Sequence, residues 1–296
     1  MRSNRHDLRP KLIYYVTSLH GGLAIVTPPR PVARIALLRA LMRLTRRRGM
    51  LSAGRLIPLL FPDGLSVPLT GGLDVFVPPD PHFIGYIIGH DEHIAEAIKQ
   101  TISPGDVAVD VGANIGYFSM MMAGLAGTSG KIITYEPEVR NFHHLELNAF
   151  HASTVGISID TVNAACGERE GSMRLSLGSE STLHMITRGV DDGAIPIRAV
   201  TLSADLPRRL QTNEVRLLKI DVEGYEVEVL TGAEALIRAK CIEHILVEVF
   251  STERAREVMQ LLSVGYEKLR YWTGTRWQSF ENEFVVQPRE LWFTRT

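Results

Sequence analysis

The sequence predicts a doubly wound α/β fold, in which a mostly parallel sheet carries helices on both faces. The first observation is that five short apolar segments, typical of buried strands, recur between residues 106 and 250. The second is that segments of helical length and periodicity separate most of them. Strands joined through helices pair in parallel, because each crossover returns the chain to the same edge of the sheet. The expected strands are 106–111, 131–135, 157–164, 215–221 and 244–250, and the expected helices are 115–126, 138–150, 225–239 and 252–263.

Further elements are expected on both sides of this region. Residues 71–79 alternate as a short strand between turn signals, and residues 91–101 show a helical pattern with acids in the first turn. Residues 266–272 and 290–296 have the composition of strands, and the Gly-rich polar stretch between them lacks helical periodicity. We therefore expect a closing antiparallel hairpin at the end of the chain.

Charge divides the chain into two unlike parts. Residues 1–60 hold twelve basic residues and one acid, whereas the remaining 236 residues hold 20 basic and 32 acidic ones. Residues 32–48 predict a helix that gathers arginines on one side and leucines on the other. We expect a basic, largely helical N-terminal extension or cap over residues 1–80 and a second domain over residues 81–296.

The helix predicted at residues 32–48 has two interpretations. Either its leucine face packs on the second domain, or its arginine face makes peripheral contact with an anionic membrane. Nucleic acid is not an expected partner, because no aromatic side chains alternate with the arginines. No stretch has the roughly 18 consecutive apolar residues of a membrane-spanning helix. The two cysteines, Cys166 and Cys241, have no partner spacing, so a reducing, cytoplasmic location is expected, with a membrane-peripheral one as the alternative.

The loop after the first sheet strand has the composition of a nucleotide-cofactor site. Asp110 ends the strand, and Gly112 and Gly116 allow the backbone to turn sharply beside a ligand. Asn114 tolerates left-handed backbone angles and can take a position where glycine is common. Free N–H groups at the start of the following helix are expected to attract a carboxylate. Glu136 ends the next strand, where a carboxylate can accept both hydroxyls of a ribose.

Several motifs together resemble the FkbM family of class I S-adenosylmethionine-dependent methyltransferases. They are DVGANIG at residues 110–116, YEP at residues 135–137, KIDVEGYE at residues 219–226 and LTGA at residues 230–233. The resemblance covers roughly residues 102–250. It implies a seven-stranded Rossmann-like sheet and methyl transfer to a hydroxyl of a sugar, polyketide or glycolipid.

The resemblance also implies a set of residues that bind the cofactor. Gly112 and Gly116 would admit the methionine portion, Asp110 would hold its amino group directly or through water, and Glu136 would bind the ribose. The strand end at Ala164, Ala165 and Cys166 would border the adenine. The full cofactor-binding set expected for S-adenosylmethionine is Asp110, Gly112, Ala113, Asn114, Gly116, Glu136, Pro137, Ala165 and Asp221.

Three acids are candidates for catalysis at the same edge of the sheet. Asp221 is the first candidate for the base that accepts the proton of the acceptor hydroxyl, and Glu223 and Glu248 are the others. In the structural alternative, Asp221 binds the cofactor's ammonium group and Glu223 caps the helix at Gly224. These three acids are also possible ligands of a divalent cation, because magnesium and calcium prefer oxygen donors. An arginine partner would explain an acid such as Glu248 in an otherwise apolar strand.

Two histidines are further candidates near the cofactor. His90 and His93 flank the start of a predicted helix and are candidates for a lid over the cofactor.

Two other functions are alternatives to methyl transfer. A non-catalytic scaffold would keep the cofactor loop and recruit a partner through the basic helix, but it would not need the acids of the 221–248 region. An NAD-dependent oxidoreductase is disfavoured because the loop lacks the G-x-G-x-x-G spacing.

Overall fold

A mixed eight-stranded sheet forms the centre of the protein in the computed structural model, and a hairpin and several helices precede it. The model describes residues 16–19, 22–25, 57–88, 91–178, 184–187, 193–210 and 214–295. The first elements are β1 (Val16–Leu19), β2 (Gly22–Ile25), α1 (Ile57–Leu60), β3 (Leu65–Pro68), β4 (Asp74–Val77), α2 (Ile84–Ile88) and α3 (Glu92–Thr101). A 3₁₀ turn at Pro81–Phe83 leads into α2.

The described part of the N-terminal extension contains two hairpins and one short helix, and the expectation that the extension as a whole is largely helical stays a prediction. β1 pairs with β2 and β3 pairs with β4, both antiparallel, whereas α1 has only four residues. The β3–β4 hairpin forms because apolar side chains on both strands are buried and Gly71 and Gly72 take positive φ values of 97° and 88° at the turn. The helix predicted at residues 32–48 lies outside the described residues.

The first half of the sheet follows the predicted alternation of strands and helices. Its elements are β5 (Val107–Val111), α4 (Tyr117–Ala126), β6 (Lys131–Tyr135), α5 (Val139–Ser153) and β7 (Ile159–Val162). β5 pairs in parallel with β6, and β6 pairs in parallel with β7. This part confirms the predicted strands to within two residues at each end.

A second, smaller sheet follows β7 and was not predicted. It consists of β8 (Ala165–Cys166), β9 (Gly171–Leu177), β10 (His184–Thr187) and β11 (Ile195–Val200), in the order β10-β9-β11-β8. β8 pairs with β11 in parallel, and the other pairs are antiparallel. Sequence analysis missed this sheet because β9 exposes most of its side chains and lacks an apolar run. Helix α6 (Leu202–Arg209) then leads back to the central sheet.

The C-terminal part completes the central sheet and adds its antiparallel edge. Its elements are β12 (Val215–Ile220), α7 (Glu226–Gly232), α8 (Glu234–Arg238), β13 (Ile242–Glu248), α9 (Thr252–Leu262), β14 (Lys268–Trp272), β15 (Trp277–Ser279) and β16 (Glu290–Thr294). The single helix predicted at residues 225–239 is wrong, because the chain forms α7 and α8 instead. They meet beside Gly232, where a Cβ would lie 1.9 Å from the carbonyl oxygen of Gly167.

The order of the central sheet is β15-β14-β16-β13-β12-β5-β6-β7. The five strands from β13 to β7 are mutually parallel, and β14, β15 and β16 pair antiparallel. The predicted antiparallel closure is therefore confirmed. The sheet of the described residues is, however, mixed and has eight strands rather than the seven implied by the resemblance, because β15 adds an edge strand.

Helices cover both faces of the sheet, which confirms the doubly wound architecture. On one face Ala108 of β5 packs in a core with the three buried methionines of α4, and on the other Val109 packs in a core with Val229 and Val258 of α7 and α9. Adjacent residues of a strand point to opposite faces, so one strand serves both cores. No helix among the described residues combines the length and the apolarity needed to cross a bilayer.

The β3–β4 hairpin shares a core with the central sheet. Leu65, Val67, Val75 and Val77 are buried in the same cluster as the α4 methionines. The turn lies close to α4, since a Cβ on Gly71 would be 2.6 Å from the carbonyl carbon of Gly124. The division at residue 80 into an extension and a second domain stays a prediction.

Candidate active site

The predicted site residues meet around one cavity of about 340 Å³ at the carboxyl ends of the parallel strands. Ligands of open α/β sheets bind at this edge. Asp110, Ala113 and Gly116 are not among the residues that line the cavity, whereas the rest of the predicted set does line it: Gly112, Asn114, Glu136, Pro137, Ala165, Asp221, Glu223 and Glu248.

The loop between β5 and α4 needs its glycines because the backbone packs tightly there. Gly112 has φ = +81°, and a Cβ at this position would lie 1.7 Å from the carbonyl oxygen of Asp221. Gly116 has φ = +89°, and its Cβ would lie 2.7 Å from Cδ1 of Leu145. Asn114 has φ = +53°, which confirms that an asparagine takes a left-handed position in this loop.

The backbone N–H groups of residues 112–116 are all engaged within the protein. The expectation that free N–H groups at the start of α4 attract a carboxylate concerns the residues after them and stays a prediction. The Gly112 and Ala113 amides both donate to the carbonyl oxygen of Tyr135 at 3.0 Å. The Asn114 amide donates to Oε2 of Glu136 at 2.8 Å. Ile115 and Gly116 donate to Oδ1 of Asn114 and to the carbonyl oxygen of Ala113, both at 2.8 Å. The five amides are thus satisfied within the protein. The loop contributes to the shape of the cavity but offers it no free amide at these residues.

Glu136 is a buried carboxyl group fixed by two backbone amides. Its Oε2 accepts from Asn114 and its Oε1 accepts from the Glu138 amide, each at 2.8 Å. Burial raises the pKa of Glu136 to about 8, although these hydrogen bonds oppose the shift. A carboxylate oxygen has a second lone pair, so both oxygens keep the capacity to accept a ligand hydroxyl.

A buried lysine joins the first and fourth strands of the parallel core. Nζ of Lys219 lies 3.4 Å from Oδ1 of Asp110 and 3.2 Å from Oδ2 of Asp221. Asp110 is fully buried, and its Oδ2 accepts a hydrogen bond from Oγ of Ser119 at 2.6 Å. Sequence analysis missed the role of Lys219, for which the available signal was a charged residue inside the apolar segment VRLLKI. A contact of Asp110 with a cofactor stays a prediction.

Asp221 and Glu248 lie close together, and their pKa values shift in opposite directions. Although burial opposes ionisation, Lys219 and the hydrogen bond from Glu248 hold the pKa of Asp221 below its ordinary value. Burial and the negative charge of Asp221 raise the pKa of Glu248 to about 11. At neutral pH Glu248 is therefore protonated, and Asp221 is ionised. Arg289 is the arginine partner expected for Glu248, with its Nη2 3.7 Å from Oε1.

Glu223 lies beside this pair but does not cap the next helix. It has φ = +53°, and burial together with the charge of Asp221 raises its pKa to about 7. The Gly224 amide instead donates to Oε1 of Glu226 at 2.8 Å. The alternative in which Glu223 caps the helix at Gly224 is therefore wrong, because the carboxylate of Glu226, within the first turn of α7, takes that amide.

The three acids form a cluster that has the composition of a metal site. One oxygen from each of Asp221, Glu223 and Glu248 lies within 4.8 Å of the others. Oxygen donors suit magnesium or calcium. The ammonium group of Lys219 already contacts Asp221, and a cation would have to displace the proton of Glu248. A divalent metal therefore stays an alternative, and no step of the chemistry is assigned to it.

Residues that sequence analysis did not predict also line the cavity. Tyr86 of α2 lies over the loop, since its ring stacks on that of Tyr117 with centroids 4.7 Å apart and planes 10° apart. Burial and the charges of Asp221 and Asp91 raise the pKa of the Tyr86 hydroxyl well above its ordinary value. Other unpredicted lining residues are His82 of the 3₁₀ turn, Asp91 before α3, Leu175 and Ile186 of the second sheet, and Arg289 before β16.

The two candidate lid histidines have different outcomes. His93 is not among the residues that line the cavity, and its ring stacks on Trp272 with centroids 4.4 Å apart. Its Nε2 lies 3.1 Å from Oε1 of Glu290. His93 therefore belongs to the packing between α3 and the antiparallel edge of the sheet. His90 lies outside the described residues.

Comparisons with known proteins agree with the motifs. The Methyltransferase FkbM domain model matches residues 110–271. The chain is 24% identical to the hexuronic acid methyltransferase AglP of Haloferax volcanii over 176 residues, which are 58% of this chain and 68% of that protein. It is 30% identical to the 31-O-demethyl-FK506 methyltransferase FkbM of Streptomyces tacrolimicus over 192 residues, 54% of this chain and 72% of that protein. The crystal structure of methyltransferase FkbM from Methylobacillus flagellatus aligns with a TM-score of 0.41 and 17% identity, over 72% of this chain and 53% of that one.

The matched residues 110–271 contain the loop after β5, Glu136 and the acidic cluster. Six lining residues lie outside this range, namely Pro81, His82, Gly85, Tyr86, Asp91 and Arg289. The cavity thus combines the region shared with the family model and residues that flank it on both sides.

Proposed function

Because the chain belongs to the FkbM methyltransferase family, and is thus an S-adenosylmethionine-dependent methyltransferase, we propose that it methylates a hydroxyl group of a sugar, glycolipid or natural-product acceptor. The names of the two relatives support this acceptor class. One acts on a hexuronic acid, and the name of the other places the missing methyl group on an oxygen of FK506. The alternative of a non-catalytic scaffold is set aside by the family.

One observation carries the proposal. Residues from separate strands, with Glu136 after β6, Ala165 in β8 and Asp221 after β12, line the same cavity as Gly112. An adenosine group and a methyl donor need this combination of an apolar border, a hydroxyl acceptor and a loop that allows close approach. A chance arrangement of surface acids would not combine all of these features.

The cofactor would extend along the sheet edge from the second sheet to the acidic cluster. Ala165 and Cys166 would border the adenine, and Glu136 would bind the ribose hydroxyls. Gly112 would admit the methionyl group. Asp221, Glu223 and Glu248 would line the part of the cavity where the methyl group is transferred.

Asp221 is the proposed base. Methyl transfer is an in-line displacement in which the acceptor oxygen bonds to the methyl carbon as the carbon–sulfur bond breaks. The acceptor hydroxyl loses its proton to Asp221, and S-adenosylhomocysteine leaves. Lys219 and Glu248 keep Asp221 ionised, and the contact with Lys219 fixes its direction. They also lower its pKa, so its contribution comes from its position rather than from its basicity. A positioned base of this kind contributes typically 10²- to 10⁴-fold in rate.

Two alternative roles of the acids stay open as proposals. In the first, Asp221 binds the ammonium group of the cofactor's methionyl part. In the second, Asp221, Glu223 and Glu248 hold a divalent cation. A peripheral membrane contact through residues 32–48, the absence of a nucleic-acid partner and a cytoplasmic location are likewise proposals. The membrane contact rests on the charge pattern of the sequence, the nucleic-acid expectation on the lack of aromatic residues among the arginines, and the location on the spacing of the two cysteines.

The proposal is tested by methyl-labelled S-adenosylmethionine and a panel of acceptors. The panel contains hexoses, uronic acid glycosides and hydroxylated macrolides. We expect the label in an ether, which resists dilute alkali. Label recovered only as an alkali-labile methyl ester of a uronic acid, or only on nitrogen, would contradict hydroxyl methylation while leaving the methyltransferase assignment intact.

A further inference from the structure

Tyr86 lines the cavity, and its hydroxyl group has no hydrogen-bond partner among the described residues. The residue is partly buried and belongs to α2, which lies outside the region matched by the family model. A phenol hydroxyl donates one hydrogen bond, so a ligand bound in the cavity with an acceptor oxygen finds a donor here.

The ring of Tyr86 is held firmly enough to place its hydroxyl. It stacks on Tyr117, the first residue of α4, with centroids 4.7 Å apart, and on Phe83 with centroids 6.0 Å apart. Tyr117 directly follows Gly116, so this stack sets Tyr86 above the loop after β5. In the proposed binding mode the methionyl group of the cofactor lies over the same loop.

The methionyl group brings one carboxylate into an acidic surrounding. Asp91, Asp221 and Glu223 line the cavity, and the positive ammonium and sulfonium groups suit them. The carboxylate is repelled by the same acids and needs a hydrogen-bond donor. The backbone amides of residues 112–116, which often fill this role at a helix start, all donate within the protein.

Two basic side chains line the cavity, and each lies beside an acid. Nδ1 of His82 is 2.7 Å from Oδ1 of Asp80, and Nη2 of Arg289 is 3.7 Å from Oε1 of Glu248, at the acidic cluster. Lys219 is not a lining residue and contacts two aspartates. The phenol of Tyr86 is protonated at neutral pH and is free to donate.

We propose that the Tyr86 hydroxyl donates a hydrogen bond to the carboxylate of the cofactor's methionyl group. This inference rests on the proposed binding mode of S-adenosylmethionine. It makes Tyr86 a cofactor-binding residue that selects for the amino-acid end of the cofactor, and it assigns that task to α2 rather than to the Gly-rich loop.

The test compares two ligands in calorimetric titrations of the full chain. One is S-adenosylhomocysteine, and the other is its decarboxylated analogue, which keeps the adenosine, the sulfur and the amine. Tyr86→Phe keeps the stacked ring and removes only the hydroxyl. We expect this substitution to lower the affinity for S-adenosylhomocysteine by roughly 10- to 100-fold, the usual effect of losing one hydrogen bond to a charged group. The affinity for the analogue should change by less than about twofold, because the analogue lacks the acceptor carboxylate.

Tyr117→Phe is the matched control, because it alters the other ring of the stack, which is not a lining residue. We expect it to leave the affinity of both ligands unchanged. Equal weakening of both ligands by Tyr86→Phe, or unchanged binding of S-adenosylhomocysteine, would overturn the inference. Failure of the wild-type chain to bind either ligand would instead contradict the proposed cofactor site.

Discussion

Gly112 and Asp221 are in such close contact that a Cβ on the glycine would lie 1.7 Å from the carbonyl oxygen of the aspartate. This approach brings the loop after β5 against the chain after β12, two strands that are neighbours in the sheet. The cofactor loop and the candidate base are thereby fixed to each other.

The first prediction follows from this contact and concerns stability. Gly112→Ala should lower the free energy of unfolding by about 3 kcal/mol or more, because a methyl group cannot fit against a backbone carbonyl. Gly72→Ala is the matched control, since Gly72 has a similar φ of +88° and open space around it. It should cost only about 1–2 kcal/mol for the left-handed backbone. Equal losses in urea unfolding would show that φ alone requires the glycine.

The second prediction concerns the pH dependence of stability. Glu223 has a pKa of about 7 in the folded protein against an ordinary value of 4.5. Between these values the folded state binds more protons than the unfolded state, so the wild-type free energy of unfolding falls as the pH rises from 4.5 to 7. Glu223→Gln removes the titrating group and with it this fall in the free energy of unfolding. The variant should therefore gain stability relative to the wild type between pH 5 and pH 8 in urea titrations, and a constant difference would contradict the assigned pKa.

The third prediction tests Asp221 as the base. Asp221→Asn keeps the size of the side chain, and turnover at saturating S-adenosylmethionine should fall about 10²-fold or more with little change in cofactor affinity. A large loss of cofactor affinity, with the rate restored at saturation, would favour the ammonium-binding role. Loss of wild-type activity with a chelator and its return with magnesium would favour the metal role. Near wild-type turnover of the variant would exclude Asp221 from the chemistry.

The fourth prediction concerns the boundary between the extension and the second domain. A chain that begins at residue 57 should fold and bind cofactor, because the described core starts with Phe61. A chain that begins at residue 81 should be insoluble or much less stable, because it lacks Leu65 and Val75, which are buried beside α4. Equal stability of the two chains in thermal unfolding would support a boundary at residue 80.

The sequence predicted the parts of the site that depend on local chemistry. Gly112 and Asn114 follow from the backbone angles that a tight strand-to-helix loop demands, and Glu136 follows from its place at a strand end. The contacts of Lys219 and Tyr86 depend on which residues meet across the fold. Local periodicity does not contain that information, so both residues were missed.

The fold shows the same division. The parallel strands were predicted because they are buried on both faces and form continuous apolar segments. The strands of the second sheet are partly exposed, as in β9, and gave no such signal. The break between α7 and α8 depends on the approach of Gly167, a contact between distant parts of the sequence.

The cofactor site is tested most directly by titration of S-adenosylhomocysteine at pH 9, above the pKa of about 8 of Glu136. The account predicts stoichiometric binding to the wild type and a roughly 10- to 100-fold loss in Glu136→Gln, because the amide cannot accept both ribose hydroxyls. Glu146→Gln is the control, because Glu146 is exposed on α5. The affinity of this variant for S-adenosylhomocysteine should equal that of the wild type. Unchanged affinity of a folded Glu136→Gln, or no binding to the wild type, would contradict the placement of the cofactor in this cavity.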